Sequence, residues 1–268
     1  MQTEKILRIS IVYAVVLILV LPLLVILVWA FSQGWAWPSL LPGKFSLEGW
    51  SYFFNPRNGA LDALALSFFI GIGVTILALL ISIPAGKALG LYQFKGKRLI
   101  NLLVLSPIIV PPLAAAMGMH INFIRYGLAD TVAGVIMVHL IPTIPYSIRI
   151  LTNIFSAIGD KFEEQARVLG ARSWQRFFYI TLPMICPGIL SAAVLVFIIS
   201  FSQYFLTFLI GGGSVITFPM VFFPLVKSGD RMLASVYSIA FIMGGLIFTF
   251  LIERLFRNEK LMKDHFYL

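Results

Sequence analysis

Glu163, Glu164, Arg167, Arg172 and Arg176 crowd one short stretch, EEQARVLGARSWQRFFYITLPM (163–184), in a chain of 268 residues of which only 12% are charged. Carboxylates and guanidiniums interleaved with Trp174, Phe177, Phe178 and Tyr179 suit ion pairing and groove filling at a protein surface. Bond-making chemistry needs other groups, and they are not assembled here. His120, His139 and His265 are far apart in sequence and no Ser-His-acid arrangement is legible. The single cysteine, Cys186, permits no internal disulfide. No Gly-x-x-x-x-Gly-Lys-Ser/Thr string occurs, and the Gly-Lys pair of LPGKF (41–45) lacks the glycine loop ahead of it. With no cysteine–histidine cluster, the expectation is no catalytic residue, no metal site and no cofactor.

The elements that carry this stretch are oily. Hydrophobic residues make up 60% of the chain, and charged residues fall far short of the roughly 25% of a soluble domain. Six apolar runs, 9–31, 63–86, 99–119, 131–150, 184–210 and 234–252, match the length of membrane spans. A spanning helix needs about 20 residues, because each adds about 1.5 Å across roughly 30 Å of hydrocarbon. Strands would leave backbone groups unmet in lipid, and the period-2 pattern of a barrel is absent. The first run exceeds the roughly 7–15 apolar residues of a signal peptide, so it reads as a span. The expected fold class is an all-α membrane protein of six transmembrane helices, a single domain over 1–268, with a polar loop at 160–183 between spans four and five.

Lys and Arg orient it. Lys5 and Arg8 precede span one, Lys87, Lys95, Lys97 and Arg98 follow span two, and Arg149, Lys161, Arg167, Arg172 and Arg176 follow span four. Arg254, Arg257, Lys260 and Lys263 follow span six, whereas the opposite side holds only Lys44, Arg57, Arg125, Lys227 and Arg231. Both termini and the 160–183 loop are therefore expected in the cytoplasm. The net charge of +9 is a topology signal rather than a nucleic-acid footprint, since it is dispersed between spans. The eleven acids all fall in loops, tails or span edges, which disfavours an ion-coupled secondary transporter.

The loop has its own local grammar. Asp160 and Glu163 have the spacing of a reciprocal N-terminal cap, and Phe162, Ala166 and Leu169 recur at helical spacing. Gly170 stands where a helix ends in a left-handed residue, Ser173 is placed to cap a second short helix, and Pro183 fits an early turn of span five. The expectation is two short amphipathic helices joined by a glycine elbow. Such an object could lie on the membrane surface or enter a partner's groove.

The string Glu164-Gln165-Ala166, three residues, Gly170, nine residues, Ile180-Thr181-Leu182-Pro183 resembles the signature loop of permease subunits in bacterial binding-protein-dependent ABC importers. That signature has Glu-Ala-Ala where this chain has Gln165 in the middle, and a longer polar side chain there can point away from the packed face. The resemblance runs over roughly 63–252 and is nearest to the polyamine, phosphonate and thiamine branch. It implies the type I importer permease fold in a bacterial inner membrane. It also implies two ATP-binding subunits, a second permease subunit (homologous or identical), an extracytoplasmic substrate-binding protein and no nucleic acid. By the same resemblance Glu164, Gln165, Ala166, Gly170, Ile180, Leu182 and Pro183 form the ATPase-coupling site.

Polar residues within spans are costly and therefore informative. Ser200, Gln203, Tyr204 and Thr207 recur along span five, and His139, Thr143 and Tyr146 along span four. Each stripe could line the translocation path or bond helix to helix. Ser67, Gly71 and Thr75 read as small packing residues, and Pro107, Pro111 and Pro112 as a kink in span three. No acid occurs in SFSQYFLTFLIGGG (200–213), which lowers the case for a polyamine solute. The following GGGSVITFP (211–219) reads as a flexible outer loop with apolar anchors, either a docking element or a plain turn.

Overall fold

A computed structural model describes residues 2–35, 39 and 42–257. Leu41, Lys260, Lys263 and His265, used in the motif and charge readings above, lie outside the described residues. Five helices among the described residues are long and apolar enough to cross a membrane: Ile9–Trp29, Ala60–Leu91, Val132–Ile158, Ser173–Phe201 and Arg231–Phe256. Counted as one span, the bent helix pair Lys97–Ile109 and Ala114–Arg125 makes six. In chain order the helices are α1 (Gln2–Trp29), α2 (Glu48–Phe54), α3 (Ala60–Leu91), α4 (Lys97–Ile109), α5 (Pro112–Arg125), α6 (Val132–Ile158), α7 (Lys161–Val168), α8 (Ser173–Arg176), α9 (Leu182–Phe201), α10 (Phe205–Gly211), α11 (Phe218–Ser228) and α12 (Arg231–Arg257).

Four expected boundaries need correction. The fourth span, expected to end at 150, runs to Ile158 and takes in Arg149. The third span is a broken pair bent by 95°, not one kinked helix over 99–119. Pro107 is accommodated inside α4, and the break falls at Val110 and Pro111. Two consecutive prolines remove two amide donors, and Val110, preceding the first, is held extended at φ −75° and ψ 127°. The fifth span does not run unbroken to 210, because α9 ends at Phe201 and α10 begins at Phe205. There the Gln203 N–H bonds the Ser200 carbonyl at 3.2 Å, and the Ser202 hydroxyl takes the Ile199 carbonyl at 3.0 Å, tightening the last turn. The second span extends past 86 to Leu91, which makes Lys87 a helix residue instead of a loop residue.

Contacts divide the chain into two compact units, Met1–Leu64 with Val221–Gly244 and Ala65–Met220 with Gly245–Leu268. In the first, strands β1 (Ser32–Gln33) and β2 (Lys44–Phe45) pair antiparallel with Ser32 opposite Phe45. Phe53 meets Tyr237 edge to face at 5.1 Å, and Gly49 leaves room for Met232. None of the α1 span is buried.

The second unit is built around α6 and α9. Ile70, Val74, Ala78, Val135, Val196 and Val215 form one buried cluster, and Leu151, Phe155, Ile185 and Ile189 another. Lipid gives little hydrophobic drive for helix pairing, so close van der Waals fit must supply it. Small residues provide that fit: a Cβ on Gly86 would stand 2.7 Å from Leu151 Cβ, and one on Gly90 2.7 Å from Phe155 Cβ. Gly71 likewise admits the Phe197 ring, as the small-residue reading expected. Ser67 Oγ accepts the Phe218 N–H at 2.7 Å, which anchors the turn after α10. Only 212–214 and 216 of the 211–219 segment are exposed, so much of the expected flexible loop is an anchored turn.

Candidate functional site

The polar stretch begins where α6 stops, at Gly159, whose φ is 72°. After α7 comes Gly170 with φ 85°, and nothing lies within 4 Å of a Cβ built there. The requirement for glycine is therefore backbone conformation and not space. The Gly170 N–H bonds the Arg167 carbonyl at 3.0 Å and the Ala171 N–H bonds the Ala166 carbonyl at 2.9 Å, closing the C-terminus of α7.

Other local expectations are revised. Asp160 makes no side-chain cap bond. Its intended partner Glu163 is taken by Lys87, 76 residues away in sequence. Ser173 does not cap; its hydroxyl accepts from Arg176 Nη2 at 3.2 Å, while the Arg172 N–H donates to Gln175 Oε1 at 2.8 Å. The expected second short helix is the start of span five: α8 passes through a π-type turn, Phe177–Thr181, directly into α9. Pro183 does occupy the first turn of α9. The proposed face of Phe162, Ala166 and Leu169 is not a single buried one, since Ala166 is buried while Phe162 is 54% and Leu169 86% exposed.

Of the coupling candidates, Glu164 and Gln165 face solvent, Ala166 is buried, and Ile180, Leu182 and Pro183 are half-buried. Glu164 pairs loosely with Arg167 at 3.5 Å. Beside the elbow, Leu169, Gly170, Ala171, Gln175, Tyr179 and Ile180 line an open groove of about 390 Å³. The apolar tip next to it, Val168 at 85% and Leu169 at 86% exposed, is not covered by any of the described residues.

Glu163 is the electrostatic centre of the segment. Lys87 Nζ donates to Oε2 at 2.7 Å and Oε1 at 2.9 Å, the Thr181 hydroxyl donates to Oε2 at 3.2 Å, and Arg176 Nε stands 3.8 Å from Oε1. Partial burial pushes the carboxyl pKa upward. The hydrogen bond and charge of Lys87, the Thr181 hydroxyl and the Arg176 charge outweigh it and hold the group below its ordinary range.

The two polar stripes meet each other. His139 Nδ1 lies 2.9 Å from Ser200 Oγ and Nε2 2.9 Å from Thr207 Oγ1, all three residues buried. The Thr207 hydroxyl donates to the Gln203 carbonyl at 3.0 Å, so Nε2 must carry the ring proton and Nδ1 accept from Ser200. Thr143 is also buried, its hydroxyl bonded to the His139 carbonyl at 2.8 Å. His139, Ser200 and Thr207 bond α6 to α9 and α10 inside one subunit, while Thr143 bonds within α6. Gln203 and Tyr204 lie in the break between α9 and α10, half-buried, and Tyr146 is 39% exposed. Sequence spacing missed Lys87 and Thr181, whose partner lies in another helix and which no local pattern marks.

Residues 78–258 match the family of binding-protein-dependent transport system inner membrane components. A Salmonella typhimurium permease protein named for 2-aminoethylphosphonate transport, PhnV, is 28% identical over 238 residues, covering 88% of each chain. The diacetylchitobiose uptake system permease protein NgcG of Streptomyces coelicolor is 27% identical, covering 70% of this chain and 63% of that one. Among solved structures, a bacterial ABC transporter described as importing the acidic polysaccharide alginate superposes with a TM-score of 0.75. It covers 95% of this chain and 97% of its own at 17% identity, a likeness of fold.

Proposed function

The chain belongs to the family of binding-protein-dependent transport system inner membrane components, and from that premise we propose how this importer permease works. It forms half of a translocation path, with a second permease subunit supplying the other half. The whole of 1–268 acts as one permease domain, both termini in the cytoplasm. A substrate-binding protein delivers solute from outside, and two ATP-binding subunits drive the cycle. The chain itself contributes no ATPase site.

The 160–183 segment is the coupling loop. The observation that carries this is the apolar tip of α7, where Val168 and Leu169 stand 85% and 86% exposed among the described residues, beside the left-handed Gly170. Water penalises such a tip, and a groove in a soluble partner would relieve it. Glu164 and Gln165 meet the ATPase from the exposed side, Ala166 and Gly170 set the shape of the elbow, and Ile180, Leu182 and Pro183 seat the following span. Rigid-body closure of the ATPases then tips the permease pair between inward-open and outward-open states.

Path lining falls to Gln203, Tyr204 and Tyr146, which keep exposed surface, whereas His139, Ser200 and Thr207 hold helices together and Thr143 is tied within its own helix. The solute belongs to the polyamine, phosphonate or thiamine-like group. The name of the Salmonella relative favours a phosphonate, and the acid-free 200–213 stretch disfavours a polycation.

A pair of single cysteines tests the arrangement in a Cys186→Ala background. One at Ser173 is shielded from an impermeant maleimide added outside, and one at Gly213 is labelled; the reverse pattern overturns the orientation. Gly170→Val inserts normally but loses ATPase co-purification and transport, because a β-branched residue resists positive φ. Retention of both would remove the elbow from the mechanism. Uptake of radiolabelled 2-aminoethylphosphonate, or its absence in the complete transporter, decides the solute.

A further inference from the structure

Two adjacent carboxylates on α7 have opposite fates. Glu164 is 55% exposed and, among the described residues, pairs with Arg167 of its own helix, whereas Glu163 turns inward, 24% exposed, with both oxygens bonded to Lys87. We propose that Glu163 is a positioning residue of the transport cycle: with Lys87, Arg176 and Thr181 it forms a clasp that carries displacement of α7 into α3 and the start of α9. This rests on the reading of α7 as the ATPase-docking helix.

Geometry makes the clasp necessary for transmission. α7 is joined to its neighbours through Gly159 and Gly170, both at positive φ. Of its own residues only the small Ala166 is buried, at 9% exposure. A push at its tip would pivot α7 about these joints unless another contact resists. The Glu163 carboxylate supplies that contact in two directions. Towards α3, Lys87 stands between Gly86 and Gly90, the two positions where α3 lies directly on Leu151 and Phe155 of α6. Ser156 Oγ also bonds the Gly90 carbonyl at 3.2 Å, so Lys87 has a fixed base. Towards α9, Thr181 ends the π-type turn, a place where helices yield. Arg176, beside Glu163, ties back across the elbow through the Ala171 carbonyl at 2.9 Å and Ser173 Oγ at 3.2 Å. A push on α7 thus reaches two spans through one carboxylate. At 24% exposure on both sides the Lys87–Glu163 pair is neither fully screened by water nor locked in hydrocarbon.

The test uses the complete transporter in lipid nanodiscs, with its ATP-binding subunits and a single cysteine at the exposed Ser202 in a Cys186→Ala background. The readout is the change in maleimide labelling rate at residue 202 on trapping with ATP and vanadate, beside ATP hydrolysis. Glu163→Gln retains the ATP-binding subunits but loses at least about fivefold of the labelling response, the low end of coupling between linked sites. Lys87→Met does the same, Lys87→Arg restores the response, and the Glu163→Gln/Lys87→Met double variant is no worse than either single one. If Glu163→Gln fails to insert, Lys87→Met and Thr181→Val probe the clasp from α3 and α9. A wild-type response in Glu163→Gln or Lys87→Met, or losses that multiply in the double variant, overturns the clasp alone. Wild-type transporter that purifies without ATP-binding subunits overturns the docking reading beneath it.

Discussion

The His139 cluster and the Glu163 cluster both tie the α6–α9 part of the molecule together, by different chemistry at different depths. His139 is 1% exposed and bonded to two hydroxyls, with no charged group among its bonded partners. Glu163 is 24% exposed and held by an ammonium, a guanidinium and a hydroxyl. A charge at mid-bilayer costs about 2.5–3.5 kcal/mol on insertion scales. The buried tie is therefore built from hydroxyls and an imidazole, and the charged tie is the partly exposed one. The lesson concerns which joint yields. Three neutral groups in one fixed donor–acceptor order admit a single arrangement, whereas a partly hydrated ion pair can exchange partners with water.

That contrast can be broken at its base or sharpened at its edges. Gly90→Val is expected to have the largest effect, because its Cβ would meet Phe155 Cβ at 2.7 Å and the Thr152 carbonyl oxygen at 2.9 Å. Overpacking of this kind costs about 1–3 kcal/mol. It should appear in detergent unfolding curves together with a weakened clasp; wild-type stability would mean that α3 is not seated on α6. His139→Leu follows, leaving Ser200 and Thr207 without their shared partner at about 0.6–1.7 kcal/mol. Its unfolding temperature should fall while the ATP-binding subunits stay bound, and loss of those subunits would erase the distinction between the two clusters.

Acid titration comes next. The Glu163 pKa is lowered from 4.5, so its stabilisation is complete above the ordinary carboxylate range and is lost as pH falls through the depressed value. The stability difference between wild type and Glu163→Gln should therefore be constant from pH 8 to about pH 5 and shrink below about pH 4. A difference that persists at low pH would mean that packing, and not charge, holds the segment. Arg167→Ala should have the smallest effect. Its pair with Glu164 is 3.5 Å long and more than half exposed on both sides, worth about 0–0.5 kcal/mol. A measurable loss of stability in the isolated chain would show that the outer carboxylate, too, is part of the internal joint.

Much of this architecture is legible in the sequence because membrane spans are written locally. Charge-free runs mark α1, α3, α9 and α12, and Gly170 marks the end of α7 through a backbone rule that needs no distant partner. Failures occur where a distant partner outbids a local one. Asp160 and Glu163 have cap spacing, yet Lys87 offers Glu163 a full charge at 2.7 Å. The polar stripes are visible as spacing on each helix, but only packing shows that His139 faces Ser200 and Thr207. Pro111 and Pro112 announce a disturbance, though not that it reaches 95°. Orientation of the chain in the bilayer rests on the distribution of Lys and Arg, which the cysteine pair above addresses.

The bond between His139 and Thr207 also sets an order for biogenesis. These residues are 68 apart in sequence. At about 5–20 residues per second, the ribosome needs on the order of several seconds to make the second after the first. Until Ser200 follows, 61 residues on, the imidazole of α6 has neither hydroxyl of its final pair, and α6 has the lowest mean hydropathy of the five long spans, 1.5. By contrast α1 has a mean hydropathy of 3.4 and none of its span is buried. The first span can thus enter the bilayer on its own account, while the fourth must wait at the insertion site, or in water-filled surroundings, for α9 and α10 to complete it.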